Sequence, residues 1–476
     1  MKRKVALVWF RNDLRLHDHE PLFRALERAR VVPVYCLDPR QWHKGMYGFP
    51  KTGAHRTRFL LESLHALRAR LRAAGSDLLI RIGLPEEILP ELVQTYQASW
   101  IFAHKEVTAE ETAVERAIED RLFKASTTLE LYWGATLYHL EDLPMPVREL
   151  PEIFTNFRKQ VEKLADVRDE FPEPVTLDSP ELDHPGEIPT LASLGLEAPE
   201  PDVRAVHPFP GGELAGLARL QTYFWEKDLL HTYKETRNGL LGADYSSKFS
   251  PWLALGCLSP RRIYTEIKRY ERTRHKNDST YWLIFELIWR DYFRFIARKH
   301  GNTLFLAGGV RRLPDEGNRD RVRLAAWIEG RTGFPFVDAN MRELAATGFM
   351  SNRGRQNVAS FLVHDLGVHW RMGAAYFESV LLDYDVCSNW GNWNYVSGTG
   401  NDPREDRYFN TVAQARRYDP KGAYIRHWLP ELAELPTHLI FEPYLGTPGE
   451  LKSCGVVLGT QYPRPVLALA RSPRHF

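Results

Sequence analysis

The spacing of hydrophobic and polar positions changes along the chain, and the first third alternates between strand and helix patterns. Short apolar runs rich in β-branched and aromatic residues predict buried strands at residues 5–10, 31–37, 78–82, 100–103 and 129–133. Between them, apolar residues at helical spacing predict helices at residues 21–30, 54–74, 86–96 and 109–124. This alternation predicts an α/β domain on a doubly wound parallel sheet, spanning residues 1–135.

Prolines interrupt the pattern between residues 144 and 210, where twelve of them occur. Prolines at this density break regular elements and favour an extended chain. One helical pattern, at residues 154–164, lies within the stretch. The composition predicts an interdomain linker over residues 136–212 that lies over both domains.

Beyond residue 212 the apolar positions recur at helical spacing, with no strand-like alternation between them. The pattern predicts helices at residues 214–230, 261–271, 281–300, 321–329, 339–347, 357–366 and 372–382. Residues 213–476 are therefore predicted to form an all-α domain. Nine of the 13 tryptophans fall in it, which points to this half as the place for aromatic chemistry.

Residues 381–410 depart from this pattern and combine acids, amides, glycines and large aromatic rings. Asp, Asn and Gly disfavour both helix and strand, so the run predicts irregular backbone. It suggests the wall of a pocket for a planar ligand with polar edges, formed by Asp383, Asp385, Asn389, Trp390, Trp393 and Tyr395. A solvent loop whose aromatic rings enter the core explains the run equally well. Arg355 could pair with either acid.

Three other clusters carry groups that could bind such a ligand, and each has a simpler explanation. Consecutive hydroxyls in residues 244–250 could cradle a phosphate at a helix start, although their spacing favours a plain serine N-cap. Glu286, Trp289 and Arg290 would share one helix face, or the glutamate and arginine would form an ordinary i, i+4 pair. Two arginines beside amides in residues 351–357 suit phosphate and base edges, and a turn that opens a helix explains them almost as well.

The first strand lacks the glycine-rich loop of dinucleotide-binding proteins, since Arg11 and Asn12 follow it directly. An ordinary NAD site therefore loses its main support. A smaller ligand could still bind in a crevice at the strand ends, where Glu106 would lie. On the residues alone, a solvated surface glutamate is the favoured interpretation of that position.

Composition narrows the functional classes. The chain has 476 residues, enough for two to four domains, and a net charge of +2, so any nucleic-acid contact must come from a local patch. Four scattered cysteines indicate reduced thiols in a cytosolic setting and no zinc site. With no signal-like or membrane-length apolar run, we expect a soluble cytoplasmic protein, monomeric, with no membrane or metal partner.

The four clusters described above, at residues 244–250, 286–291, 351–357 and 381–410, together resemble the photolyase/cryptochrome family of flavoproteins. The resemblance runs from VWFRNDLRL at residues 8–16 to RHWLPE at 426–431, and TGFPFVDANMREL at 332–344 together with SNRGRQN at 351–357 makes it specific. The segments at 150–162, 242–261 and 281–295 are most similar to the DASH-type cryptochromes of that family. The resemblance covers nearly the whole chain, and it implies that the all-α domain binds FAD.

The resemblance also implies the cofactor-binding residues. It places the FAD phosphates at Ser246, Ser247, Lys248, Phe249 and Ser250, with Tyr233 nearby. It implies that the cofactor is lined by Arg290, Asn352, Arg355, Asp383, Asp385 and Asn389, with Asn389 facing the flavin N5. Trp393, Trp370 and Trp327 match the family's electron-carrying tryptophans, although each could be an ordinary core residue. Glu106 matches a contact of the 5,10-methenyltetrahydrofolate antenna.

The implied reaction is light-driven repair of cyclobutane pyrimidine dimers in DNA. Glu286 would hydrogen-bond the dimer, Trp289 would stack on it, and Arg353 would reach a flanking phosphate. Tyr395 and Gln356 stand where duplex-repairing members carry tryptophan and methionine, which predicts a bias toward single strands. A blue-light receptor with little repair activity is the main alternative, and a flavoprotein electron carrier that does not use light is a third.

Overall fold

The computed structural model describes residues 3–123, 126–315, 317–401 and 408–467. Its strands are β1 Val5–Phe10, β2 Arg30–Leu37, β3 Leu79–Ile82, β4 Ala98–His104 and β5 Thr128–Tyr132. All neighbouring strands pair in parallel, in the order β3-β2-β1-β4-β5. The central strand β1 is apolar and almost wholly buried because helices cover both faces of the sheet. The predicted doubly wound sheet is confirmed.

The helices of this half are α1 Glu20–Arg28, α2 Ala54–Ala73, α3 Pro85–Tyr96 and α4 Ala109–Leu122. All four agree with the predicted segments to within two residues, and residue 124, at the end of the last prediction, lies outside the described residues. The helically spaced leucines of α2 are buried in the main hydrophobic core, as their period predicts.

The proline-spaced stretch contacts both halves of the molecule. Its helix α5 spans Phe154–Leu164, as predicted. Farther on, the carbonyl of Pro185 accepts a 2.7 Å hydrogen bond from the Ile80 N–H and so covers the outer edge of β3. Near its end, the Arg204 guanidinium lies 4.3 Å from the ring of Trp428 in the helical half. The boundaries at residues 136 and 212 stay predictions.

The second half is helical. Its helices are α6 Glu213–Gln221, α7 Tyr233–Thr236, α8 Ser250–Ala254, α9 Pro260–Thr273, α10 Asp278–His300, α11 Arg321–Ile328, α12 Pro335–Thr347, α13 Asn352–Ser360, α14 Trp370–Val380, α15 Val386–Val396, α16 Thr411–Tyr418, α17 Ala423–Trp428 and α18 Pro448–Ser453. Two predicted helices end early: α6 and α13 each pass into a wider π turn, at Thr222–Glu226 and Phe361–Asp365. None of the helices in the described segments is both long and apolar enough to cross a membrane.

The prediction of irregular backbone across residues 381–410 is wrong for its central part, which forms helix α15. Asp385 is the N-cap, and its carboxylate accepts a 2.8 Å hydrogen bond from the Ser388 N–H. Gly391 lies where a Cβ would collide with the ring of Phe293 on α10, so the glycine allows close helix packing. Asp385 thus caps the helix, and Gly391 allows it to pack closely against α10. Residues 402–407 of this run lie outside the described residues.

Buried carboxylates join the two halves. Asp291 on α10 accepts 2.9 Å hydrogen bonds from the N–H groups of Leu137 and Tyr138. Burial raises the pKa of Asp291 to about 7. Glu213, the first residue of α6, accepts a 3.0 Å hydrogen bond from the Leu16 N–H and pairs with His17 and Arg70. The helical half is therefore anchored to the loop that follows β1.

Candidate cofactor and substrate site

A pocket opens between α13, α14 and α15. Its lining residues are Asn352, Arg355, Gln356, Ala359, Phe377, Leu381, Asp383, Tyr384, Asp385, Ser388, Asn389, Asn392, Trp393 and Val396. Five of the predicted cofactor residues therefore share one cavity wall. The prediction that the 381–410 run contributes to a pocket agrees with this position, although its backbone there is helical.

The two acids of the run have different partners. The Arg355 guanidinium donates to both oxygens of Asp383, at 3.0 and 2.8 Å, and to the Met350 carbonyl at 2.9 Å. Asp385 caps α15 and lies 3.9 Å from an Arg294 nitrogen. Burial alone would raise the pKa of Asp385, but Arg290 and Arg294 lower it below its ordinary value. Both acids are thus held beside fixed cations at the pocket.

Asn389 and Trp393 lie one helical turn apart on α15 and so face the same side. The Asn389 side-chain amide donates a 3.1 Å hydrogen bond to the Ala374 carbonyl of α14. Gly373, also on α14, leaves room for the ring of Trp393, which a Cβ there would strike. Helix α15 therefore presents an amide and an indole to the pocket from a closely packed position.

The side chain of Arg219 holds the backbone of the segment 244–250 in place. Its guanidinium donates to three carbonyls, those of Ala243 at 2.9 Å, Ser246 at 3.1 Å and Ser247 at 3.0 Å. The serine N-cap interpretation is wrong, because Phe249 stands at the N-cap of α8 without a side-chain cap bond and the helix begins at Ser250. The segment is therefore a loop whose carbonyls point to an arginine.

Lys248 in this loop is buried, and its Nζ lies over the ring of Tyr245. It has a left-handed backbone (φ 62°) and a buried side chain, and its Nζ has no hydrogen-bond partner among the described residues. Burial lowers the pKa of Lys248 well below its ordinary value. A buried ammonium without an acceptor suits an anionic ligand. Tyr233, also buried, is the first residue of α7.

Helix α10 carries Glu286, Trp289 and Arg290, but their partners differ from the intrahelical pair considered above. Glu286 pairs with Arg237, which follows α7. Arg290 donates instead to the carbonyls of Ala135 and Leu253, the latter at 3.2 Å. The prediction of an ordinary i, i+4 pair between Glu286 and Arg290 is therefore wrong. Burial raises the pKa of Glu286 above its ordinary value, although the Arg237 charge opposes the rise.

Trp289 lies within an aromatic group that spans three parts of the chain. Phe154 of α5 stacks on it, with ring centroids 3.6 Å apart and 9° between planes. Tyr395 of α15 meets it edge to face at 5.9 Å and 83°. The two residues predicted to form the stacking wall are thus neighbours. Phe154, which lies in the 150–162 segment but was not predicted as a site residue, stacks on the indole and fixes its plane.

Arg353 and Gln356 lie in the first turns of α13, which Ser351 caps with a 3.0 Å hydrogen bond from the Gly354 N–H. This confirms that the segment opens a helix. Arg353 donates to Gln356 at 2.8 Å and to Asn238 at 3.0 Å, and its guanidinium lies 4.5 Å from the Tyr418 ring centroid. These groups form a cationic and amide surface beside the pocket.

The three tryptophans that are predicted to carry electrons take part in two separate contacts between indole rings, one of which involves Trp390. Trp393 meets Trp327 edge to face at 6.3 Å, and Trp370 meets Trp390 at 5.8 Å. Among the described residues, no ring contact joins Trp370 to Trp393 or Trp327. Trp390, named above only as part of the predicted pocket wall, is therefore the ring neighbour of Trp370.

Glu106 is buried at the junction between the two halves. Its carboxylate pairs with Arg294 of α10, and its backbone N–H donates a 2.9 Å hydrogen bond to Glu115. The solvated surface position favoured on the residues alone is wrong, because α10 covers it. Arg294 follows Arg290 by one helical turn, a spacing through which sequence analysis could have found it.

Comparison with known proteins agrees with this geometry. A family model described as DNA photolyase matches residues 6–175, and one described as FAD binding domain of DNA photolyase matches residues 282–476. The chain therefore belongs to the photolyase/cryptochrome family of flavoproteins.

Within that family, the similar proteins include DASH cryptochromes. Cryptochrome DASH of Gloeobacter violaceus is 59% identical over 473 residues, which cover 99% of this chain and 95% of the relative. The solved structure of a Synechocystis cryptochrome matches with a TM-score of 0.96 at 53% identity, covering 99% of this chain and 98% of that one. A class III photolyase from Agrobacterium tumefaciens matches with a TM-score of 0.85 at 27% identity, covering 99% and 96%.

The residues present fit an FAD. Its diphosphate is anionic, and Lys248 offers a buried ammonium that lacks an acceptor. Its flavin ring has N–H and carbonyl edges, which Arg355, Asp383 and Asn389 can meet around the pocket. The chain is thus a photolyase-like flavoprotein whose helical half carries the FAD-binding domain.

Proposed function

We propose that the protein repairs cyclobutane pyrimidine dimers under blue light, with a bias toward single-stranded or looped DNA. The observation that carries the proposal is the contact between Tyr395 on the pocket helix α15 and Trp289 on α10. Through this contact the pocket helix adjoins the aromatic group around Trp289, on the helix that also carries Glu286. A flavin site next to a surface for a planar, polar-edged substrate is the arrangement that dimer repair needs.

In this proposal the FAD phosphates lie at the 246–250 loop, with Tyr233 beside them. The flavin ring is lined by Arg290, Asn352, Arg355, Asp383, Asp385 and Asn389. The chemistry that a bound reduced FAD supplies is transfer of one electron to the dimer after light absorption and its return after the split, with no net oxidation.

In this proposal Glu286 meets the dimer where the dimer gains negative charge. Because burial raises its pKa, the protonated carboxyl persists to higher pH than in water. In that form it donates a hydrogen bond to a carbonyl edge of the dimer and stabilises the added charge. Trp289 supplies the stacking surface, and Arg353 reaches a flanking phosphate.

The single-strand bias follows from Tyr395 and Gln356. Stacking on an aromatic side chain is worth about 1–3 kcal/mol per base, and extruding a base from a duplex costs a few kcal/mol. With the phenol ring of Tyr395 in place of a second indole, the free energy gained by stacking is therefore little larger than the cost of extruding the dimer from a duplex. A dimer in a single strand does not carry that cost.

Two further roles complete the proposal. Trp393, Trp370 and Trp327 carry electrons that reduce the cofactor, and the contact between Trp370 and Trp390 adds a fourth indole to their surroundings. Glu106 binds a 5,10-methenyltetrahydrofolate antenna, because a carboxylate buried between the two halves can accept the N–H groups of a pterin ring.

The test is dimer loss from a single-stranded oligonucleotide, measured with purified FAD-loaded protein, reductant and blue light. We expect dimers to disappear in the light and to persist in a dark control. Protein that photoreduces its flavin yet leaves every dimer intact would overturn the repair proposal and favour a light receptor.

A further inference from the structure

Outside the cofactor site, one carboxylate and two imidazoles converge at the surface of the helical half. Asp228 and His231 lie in the segment before α7, and His275 lies in the turn between α9 and α10. One ligand atom from each of the three lies within 4.8 Å of the others. Segments distant in sequence therefore bring together the donor types of a transition-metal site.

The two oxygens of Asp228 have different surroundings. One oxygen accepts a 2.5 Å hydrogen bond from the Tyr270 hydroxyl and lies 3.0 Å from an Arg274 nitrogen. The other lies 3.8 Å from His231 Nδ1 and 3.7 Å from His275 Nε2. Both distances are too long for hydrogen bonds. The first oxygen is thus held in place, and the second is left for a shared ligand.

His231 supplies independent support. Its Nδ1 is inaccessible to solvent and has no hydrogen-bond partner among the described residues. The backbone carbonyl of the same residue accepts a 2.8 Å hydrogen bond from the Asn277 side chain, which fixes this segment against the start of α10. An imidazole nitrogen held without a partner opposite a carboxylate oxygen is poised to ligate a cation.

A second cluster, Asp13 with His19 and His104, differs because both imidazoles already hydrogen-bond to the carboxylate. One oxygen of Asp13 lies 2.9 Å from His19 Nε2 and 2.7 Å from His104 Nδ1, which are hydrogen-bond distances. Those ring nitrogens carry protons and have no lone pair to offer. The buried cluster therefore carries no metal proposal, whereas the Asp228 cluster differs from it in geometry.

We propose that Asp228, His231 and His275 bind one divalent transition-metal ion, with zinc the best match to two imidazoles and one carboxylate. Zinc bonds of about 2.0–2.1 Å place neighbouring ligand atoms about 3.4 Å apart, so the 3.8 and 3.7 Å separations of the Asp228 oxygen from the two imidazoles need to close by a few tenths of an ångström. The ligand nitrogens of the two imidazoles lie within 4.8 Å of each other. Water fills the fourth position at this half-exposed site. Tyr270 orients the carboxylate from the outer shell.

The ion would join two segments that matter for the cofactor and substrate. One is the chain leading to Tyr233, and the other is the connection to α10, which carries Glu286 and Trp289. Its role is to stabilise this corner rather than to take part in chemistry. The cysteine pattern that argued against metal could not reveal it, because no ligand is a cysteine. Arg274 opposes binding, since its charge lies beside the same carboxylate.

The experiment measures zinc bound to FAD-loaded protein that has been treated with a chelator, incubated with zinc sulfate and desalted. We expect one zinc per chain in the wild type and its loss in His275→Ala, whose side chain is half exposed and whose removal leaves the fold intact. His438→Ala, an exposed histidine elsewhere, should bind zinc like the wild type. Competition with a chromophoric chelator should show Arg274→Ala binding about tenfold more tightly.

Equal zinc in the wild type and His275→Ala would overturn the proposal, as would wild type that binds none. Thermal unfolding provides a second measurement. Added zinc should raise the melting temperature of the wild type and of His438→Ala, because a ligand that binds only the folded state stabilises it. His275→Ala should show no such rise. Because neither measurement depends on dimer repair, the outcome is separate from that of the proposed function.

Discussion

At the residue scale, the raised pKa of Glu286 makes the proposed repair depend on pH. Above that pKa the carboxyl loses the proton that it donates to the dimer, so the wild-type repair rate should fall as pH rises. Glu286→Gln keeps an N–H donor at every pH and should show a flat profile. Glu286→Ala should repair about 100-fold more slowly, the scale for loss of one such donor.

The measurement is the initial rate of dimer loss in single-stranded oligonucleotide across the pH range where the flavin content is constant. Glu434→Gln, an exposed glutamate distant from the pocket, is the matched control and should follow the wild type. A falling profile in Glu286→Gln identical to the wild-type profile would show that another group titrates.

Tyr395 offers a gain-of-function test. Tyr395→Trp restores a second indole opposite Trp289 and should add part of the 1–3 kcal/mol that stacking provides per base. Duplex repair should rise by roughly tenfold, and single-strand repair should change little. Side-by-side rates on the two substrates test this. No rise in duplex repair, with FAD content unchanged, would remove Tyr395 from the explanation of the bias.

The hydrogen-bond and ion-pair partners of individual side chains were the feature that the sequence predicted least well. The sequence placed Arg355 near two acids but could not choose between them, because the choice depends on how α13 packs against the loop before α15. The structure selects Asp383. Arg237 and Arg219 belonged to no motif, since each acts on a segment distant in sequence.

At the scale of elements, α15 depends on glycine at its contact with α10. Gly391→Ala would place a methyl group against the Phe293 ring and should destabilise the fold by about 1–3 kcal/mol, the usual cost of overpacking. Because α15 lines the pocket, FAD retention should fall as well. Gly449→Ala on α18 is the control, since nothing lies within 4 Å of its added Cβ.

Urea unfolding and flavin content after desalting measure both effects. Gly449→Ala should be neutral or slightly stabilising, because alanine restricts the unfolded chain. Equal stability of the two variants would show that α10 and α15 can move apart freely, which would contradict the close packing described above.

The same helix explains where element prediction failed. The inner strands β1, β2 and β4 were predictable because parallel strands that are buried on both faces are continuous apolar runs. Helix α15 was not predictable, because Asp, Asn and Gly have poor helix propensity and the contacts that favour them at these positions are tertiary. Asp385 caps, Gly391 packs, and Asn394 donates a 2.9 Å hydrogen bond to the Leu304 carbonyl.

At the scale of the whole molecule, Glu213 links the two halves and should make stability depend on acid. Burial alone would raise its pKa, but the hydrogen bond and charge of His17 and the charge of Arg70 lower it to about 2. A depressed carboxyl pKa contributes stability that is present above the unfolded pKa of about 4.5 and is lost as pH falls toward 2.

Glu213→Gln should therefore weaken the wild-type loss of unfolding free energy between pH 5 and pH 3, by an amount on the order of 1–3 kcal/mol. The measurement is urea unfolding at several pH values, with Glu434→Gln as control. An unchanged acid slope in Glu213→Gln would mean that the link between the halves does not rely on this carboxylate.

The central claim is repair of pyrimidine dimers with a bias toward single strands. Its most direct test compares initial repair rates, under blue light with reductant, on one dimer sequence presented as single strand, unpaired loop and intact duplex. We expect rapid repair of the single strand and the loop and slow repair of the duplex. Equal rates on all three substrates would contradict the roles given to Tyr395 and Gln356, and no repair on any of them would contradict the proposed activity itself.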